Sequence, residues 1–197
     1  MSLLEGEPAS PVPARVGEGK SLLYTLPSLF RSDPDRAWGE WRRRIAEGLA
    51  DGPAGPGTWD DLEIAGAILV PITAALLSSL SGGLLGLSPD ARLGRVRIGP
   101  RLPSHLSYFR ADGITAGATR LSLIHEREGD MHRYTLEPAT AAVPPSVVFE
   151  PAVGGRVREV RIDGRPAELD VRPDGDRTIV PLQIPVDAPR TVEIVTG

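Results

Sequence analysis

The sequence predicts an α+β fold, an N-terminal antiparallel helical hairpin followed by an antiparallel β-sandwich, and three observations carry that prediction. The stretch "SDPDRAWGEWRRRIAEGLADG" places apolar residues at three- and four-residue spacing between a cap signal and a Gly-Pro stop. The stretch from Ile64 to Leu87 contains no charged residue and is apolar or small on every face. From residue 93 onward, short segments alternate apolar and polar residues between Gly, Pro and Asp-Gly turns.

Residues 1–20, "MSLLEGEPASPVPARVGEGK", carry early acids and Pro8, Pro11 and Pro13, and read as an extended or disordered leader. They lack a basic segment followed by a long apolar one, so no signal peptide is expected here and the expected location is cytoplasmic. "SLLYTLPSLFR", residues 21–31, is a short apolar block broken by Pro27, either a strand or the end of a helix.

The first helix is expected at about 34–51. Ser32 or Asp33 suits the N-cap and Pro34 the first helical position. Ala37, Trp38, Trp41, Ile45 and Leu49 share one face, and Gly52 and Pro53 end it. The second helix is expected at about 60–86. Thr58 or Asp60 can cap it, with Glu63 in capping-box spacing from Asp60. Ala65, Leu69, Ile72, Leu76 and Leu80 form one stripe. Gly82, Gly83 and Gly86 weaken its end, and the "SPD" after Leu87 terminates it. The uncharged run is long enough to cross a bilayer, and Gly82 and Gly86 fit a small-residue helix-pairing pattern. Its Pro71, Thr73, Ser78, Ser79 and Ser81, with no basic-aromatic belt at either flank, favour burial within protein over a membrane anchor. A two-helix hairpin cannot cover so apolar a helix on all sides, so self-association or docking on another chain through 64–87 is expected.

Nine short segments, about eight strands, supply the expected sandwich of residues 91–197: "RVRI", "SHLSYFR", "TRLSLIHERE", "HRYTLE", "SVVFEP", "VREVRIDG", "AELDVRPDGD", "RTIVPLQI" and "RTVEIV". Asp112-Gly113, Asp163-Gly164 and Asp174-Gly175 mark the turns.

The chemistry is sparse. A formal charge of -4 argues against a nucleic-acid surface. With no cysteine, disulfides and thiolate chemistry are excluded. There is no Walker loop, no dinucleotide fingerprint and no G-x-S-x-G elbow, so Ser104-His105 is not a triad fragment, and no cofactor is expected. His125 and His132 flank "EREGDM" on an expected hairpin with its turn at Gly129-Asp130. Pairing can bring the two imidazoles together near Glu126 or Glu128 as a candidate metal site, against the plainer reading of surface histidines. Trp38, Trp41, Trp59 and Tyr108 are candidate sugar-stacking aromatics, against the plainer reading of core packing for the tryptophan pair and for Tyr108, Phe109, Tyr134 and Phe149.

The junction carries a resemblance. Gly86, Leu87, Pro89 and Asp90, followed by Val96, Ile98, Pro100, Leu102 and Pro103, resemble the end of six-hairpin glycosidases, where the last helix of an (α/α)6 barrel turns into a C-terminal β-sandwich. Glycogen-debranching amylo-α-1,6-glucosidases and α-L-rhamnosidases have this tail, and "VPLQIPVDAPRTVEIV" is similar to the closing strands of the rhamnosidase-type sandwich. The resemblance covers about 34–197 and makes 21–90 a remnant of a barrel end. It implies a place in carbohydrate metabolism as a non-catalytic accessory part that stabilises a barrel or an oligomer, with glycan as a further contact. The chain has two helices where such a barrel needs about twelve. Two alternatives stay open: a glycosidase subunit contributing Asp60, Asp61 or Glu63 to a shared active site, and a membrane-anchored β-domain. Hydrolysis by such enzymes needs paired carboxylates, and Asp60, Asp61 and Glu63 are the acids standing before the last helix, where capping is the plainer role.

Overall fold

The structure is a computed structural model that describes residues 25–50, 73–90, 95–116, 119–139 and 146–197. Its described part is α+β, a small helical layer on a sandwich-like set of sheets that are antiparallel except for one parallel pair. The expected leader, the start of the second helix and the acids Asp60, Asp61 and Glu63 lie outside the described residues.

The block around Pro27 is helical, residues 25–32, and not a strand. Helix α1 (Pro34–Ala50) follows after one residue. Asp33 caps it as the sequence predicts: its Oδ1 accepts from the Arg36 N–H at 3.0 Å, satisfying an amide that has no partner inside the helix. Ala37 is buried, and Trp38, Trp41 and Ile45 of the expected face are half-buried. The second helix is described over 73–79 and runs into a wider π turn, Leu80–Leu84. The turn contains Gly82 and Gly83, and a Cβ on Gly83 would press on Phe30 and the Pro27 backbone, so glycine lets the two helical segments touch. The buried residues are Ala75, Leu76, Ser79, Gly83 and Leu84, a stripe that keeps the expected Leu76 and leaves Leu80 half-buried at its margin. Leu26, Trp41 and Ile45 cover Ala75 and Leu76. The far side is open, and Leu77 is 61% exposed.

Thirteen strands follow among the described residues. β1 (Ser88–Asp90) pairs with β2 (Arg95–Ile98), so the "SPD" that ends the helix is itself a strand. β6 (Ser146–Phe149) lies parallel to β2, with Val96 opposite Val147 and Ile98 opposite Phe149. β12 (Leu182–Pro185) completes this four-stranded sheet. The six-stranded sheet runs β3 (Tyr108–Ala116), β4 (Thr119–Glu128), β5 (Met131–Pro138), β13 (Arg190–Thr196), β8 (Val157–Ile162), β9 (Arg165–Pro166). A third sheet is β10 (Arg172–Asp174), β11 (Arg177–Ile179), β7 (Ala152–Gly154). β4 and β5 form the hairpin expected around Gly129-Asp130, with Glu128 opposite Met131. Gly129 has φ +57°, which an L side chain rarely adopts.

Helices and sheets share one hydrophobic core. It runs from Phe30, Ala37 and Leu84 through Val96, Ile98, Phe149 and Val180 to Leu121, Leu136, Val192 and Ile194. The helix-to-sheet junction is fixed by backbone. Gly99 N–H donates to Leu85 O at 2.9 Å and Arg101 N–H to Leu84 O at 2.8 Å. Gly86 sits at φ +58°, pressed against the Gly99 carbonyl.

Candidate functional site

The β4–β5 hairpin brings both of its histidines inside. Successive residues of a strand face opposite sides of the sheet. His125 pairs across the hairpin with Tyr134, and Arg127 with His132, so His125, Arg127, His132 and Tyr134 share the inner face. His125 and His132 are 1% and 8% exposed, which corrects the surface reading. His125 Nε2 lies 3.2 Å from His132 Nδ1, a hydrogen bond in which one ring donates to the other. Tyr134 lies under them with its ring 4.7 Å from that of His125, and Phe149 meets Tyr134 edge-on at 5.3 Å.

The pair floors a cavity of about 130 Å³ where the loop after β2 crosses the seam between β4–β5 and β7–β11. Its walls include Ser104, Leu106, Arg127, Val153 and Arg177. Arg127 reaches over the loop, donating from Nη1 to Ser104 O at 2.7 Å and from Nε to Gly129 O at 3.1 Å. Arg177 donates to Leu102 O at 2.9 Å, and its Nη2 is 3.5 Å from Asp35 Oδ2. Asp35, in the first turn of α1, also accepts from the Ser104 N–H at 2.8 Å, the Ser104 hydroxyl at 3.0 Å and His105 Nδ1 at 3.3 Å. Thus Ser104 and His105 are tied to an aspartate, but both to the same oxygen. This is an anchor for the loop, not a relay from serine through histidine.

Burial sets the electrostatics. It pushes His125 and His132 down to about 4; nearby His132 and Arg127 add to the effect on His125, and Arg127 and Arg177 to that on His132, where Asp130 works the other way. Both rings are therefore neutral near pH 7. Tyr134 is pushed up by burial. Burial alone would raise Asp35, but the Ser104 and His105 hydrogen bonds and the Arg177 charge outweigh it and hold its carboxyl below the usual range. Among the described residues, no carboxylate lines the cavity.

As a candidate metal site, the pair lacks company. Glu126 and Glu128 are exposed and alternate to the outer face, where Glu126 lies 4.0 Å from Arg133. No group of three or more His, Cys, Asp or Glu that could hold a metal occurs among the described residues. Two guanidinium groups at the rim oppose a cation further.

The aromatic candidates separate. Trp38 and Trp41 stack on each other at 5.3 Å and 11° and pack against the core. Trp41 also donates its Nε1–H to Leu76 O at 3.1 Å, joining the helices. Tyr108 is not in the core as its alternating segment suggests, but 55% exposed on edge strand β3. Trp59 lies outside the described residues. Sequence reasoning singled out the histidines but missed Arg127, Arg177 and Asp35. Arg127 was legible, two residues from His125 on the same face; the partners from α1 and β11 carry no local signal.

No family model matches the chain, and no curated protein matches it. Solved structures that resemble it include glycoside hydrolases. An α-L-rhamnosidase from Dictyoglumus thermophilum aligns over 64% of this chain and 14% of its own, at 10% identity and TM-score 0.44. An α-L-rhamnosidase from Streptomyces avermitilis aligns over 60% and 11%, at 15% identity and TM-score 0.41. A GH31 dextranase from Flavobacterium johnsoniae aligns over 52% and 17%, at 8% identity and TM-score 0.40. The chain thus spans less than a fifth of the length of these structures.

Proposed function

We propose that the chain is a non-catalytic accessory module of a glycoside-hydrolase-like protein, stabilising a barrel or an oligomer through its helical layer. One observation supports this most. The helices share a core with the sandwich while leaving an apolar side chain, Leu77, open to solvent at 61%. A helical layer fixed in that way offers a docking face, and its outer side, Thr73, Ala74, Leu77, Ser78 and Ser81, is exposed and carries no charge, which suits a protein partner. The preferred partner is a second copy of this chain. The reading agrees with the junction residues Gly86, Leu87, Pro89, Pro100 and Pro103, which resemble a barrel-to-sandwich turn. The Asp35–Ser104 link works in the same direction, because it makes helix and sandwich move together.

Among the described residues, no helix is long and apolar enough to cross a membrane. The test of the non-catalytic role is an assay of the purified chain on a panel of aryl glycosides. No turnover is expected. Turnover abolished by Asp60→Ala or Glu63→Ala would replace this reading with that of a subunit that supplies acids to an active site.

A further inference from the structure

We propose that the cavity over the His125–His132 pair is a binding site for a small carboxylate, free or as the acid group of a larger molecule such as a sugar acid.

Arg127 has no carboxylate partner among the described residues; its Nε and Nη1 are held by two carbonyls, which fixes the guanidinium without neutralising it. Arg177 shares Asp35 only at 3.5 Å, and Asp35 is also used by Ser104 and His105. Two guanidinium groups therefore border a cavity that, among the described residues, no acid lines. Asp130, in the turn, also acts on His132.

His125 Nδ1 is buried with no hydrogen-bond partner. If that nitrogen carried the proton, a buried N–H donor would be left unpaired, which folded proteins tolerate less readily than an unpaired acceptor. The cheaper arrangement has His125 donate from Nε2 to His132 Nδ1. His132 then carries its own proton on Nε2, and His132 lines the cavity. The site thus offers an imidazole N–H beside two guanidinium groups, all donors, which suits an acceptor-only ligand. A carboxylate fits best because its two coplanar oxygens match the guanidinium fork.

A volume of about 130 Å³ admits a handful of non-hydrogen atoms, and the cavity opens to solvent. Acetate fits whole, and a sugar acid fits with its ring at the mouth.

The experiment is a titration of the full chain with sodium acetate, sodium glucuronate, acetamide, glucose and sodium chloride, reading the imidazole Cε1–H resonances at constant pH and ionic strength. Saturable shifts of the His125 and His132 signals with acetate or glucuronate, absent with acetamide, glucose and chloride, are expected. Acetate alone acting marks a site for free small acids. Glucuronate acting at least tenfold more tightly marks a site for sugar acids. Arg127→Lys keeps the charge but loses the fork, and should weaken binding about tenfold with the fold intact by circular dichroism. No saturable shift with either acid overturns the proposal, as do equal shifts with chloride or acetamide.

Discussion

Asp35 Oδ1 accepts hydrogen bonds from both the backbone N–H and the hydroxyl of Ser104, a residue 69 positions further along the chain. One carboxylate thereby holds the first turn of α1 to the loop that roofs the histidine cavity. The same loop is gripped from the other side by Arg127 and Arg177.

Asp35→Ala should lower the unfolding free energy by about 1–2 kcal/mol, a modest value because the side chain is 42% exposed. Because the folded carboxyl lies below its usual value, its contribution is fully present above about pH 4 and is lost as pH falls through the folded value. Urea denaturation at pH 7 measures the first effect. Asp35→Asn should reduce the acid loss, and an unchanged acid profile would remove Asp35 as its source.

The histidine pair gives a second pH signature. The unfolded imidazoles titrate near 6.5 and the folded ones near 4. Between those values the unfolded chain binds protons that the folded chain refuses, so stability falls as pH drops from 6.5 toward 4 and is fully present above that window. The combined slope should approach about 2.5 kcal/mol per pH unit in the middle of the window, the limit from either imidazole alone being a little over half of that. Denaturation curves at half-unit steps from pH 4.5 to 7.5 read it. His125→Gln with His132→Gln should flatten the slope, and an undiminished slope in that double variant would contradict the assignment.

At the junction, Gly86→Ala should cost about 2–4 kcal/mol, since its φ is +58° and an added Cβ would overlap the Gly99 carbonyl. Gly82→Ala, whose Cβ meets nothing within 4 Å, should change stability by less than about 1 kcal/mol. Thermal melts of the two variants check the contrast.

How much of this was legible in the sequence follows from the range of the interactions. The α1 cap, the β4–β5 hairpin and the Gly86 turn rest on neighbours within a few residues, and their residue types declare them. The helical state of 25–32 was obscured because a proline in an eleven-residue apolar block fits either a strand break or a helix's first turn. β1, β7 and β9 are two or three residues long, too short to show a period. The inward facing of His125 and His132 follows from alternation with Leu121 and Leu123, once those are taken as core. The cavity itself does not follow from sequence, because Asp35 and Arg177 meet it from elements far apart in the chain.

Sedimentation velocity on the wild-type chain and on Leu77→Glu tests the central claim most directly, that the sandwich carries a fixed helical layer built to dock. Leu77 is 61% exposed, so the substitution should leave the melting temperature nearly unchanged. The account predicts a dimer or larger species for the wild type and a monomer for the variant. A wild-type chain that stays monomeric at every concentration, or a variant that associates as the wild type does, would contradict it.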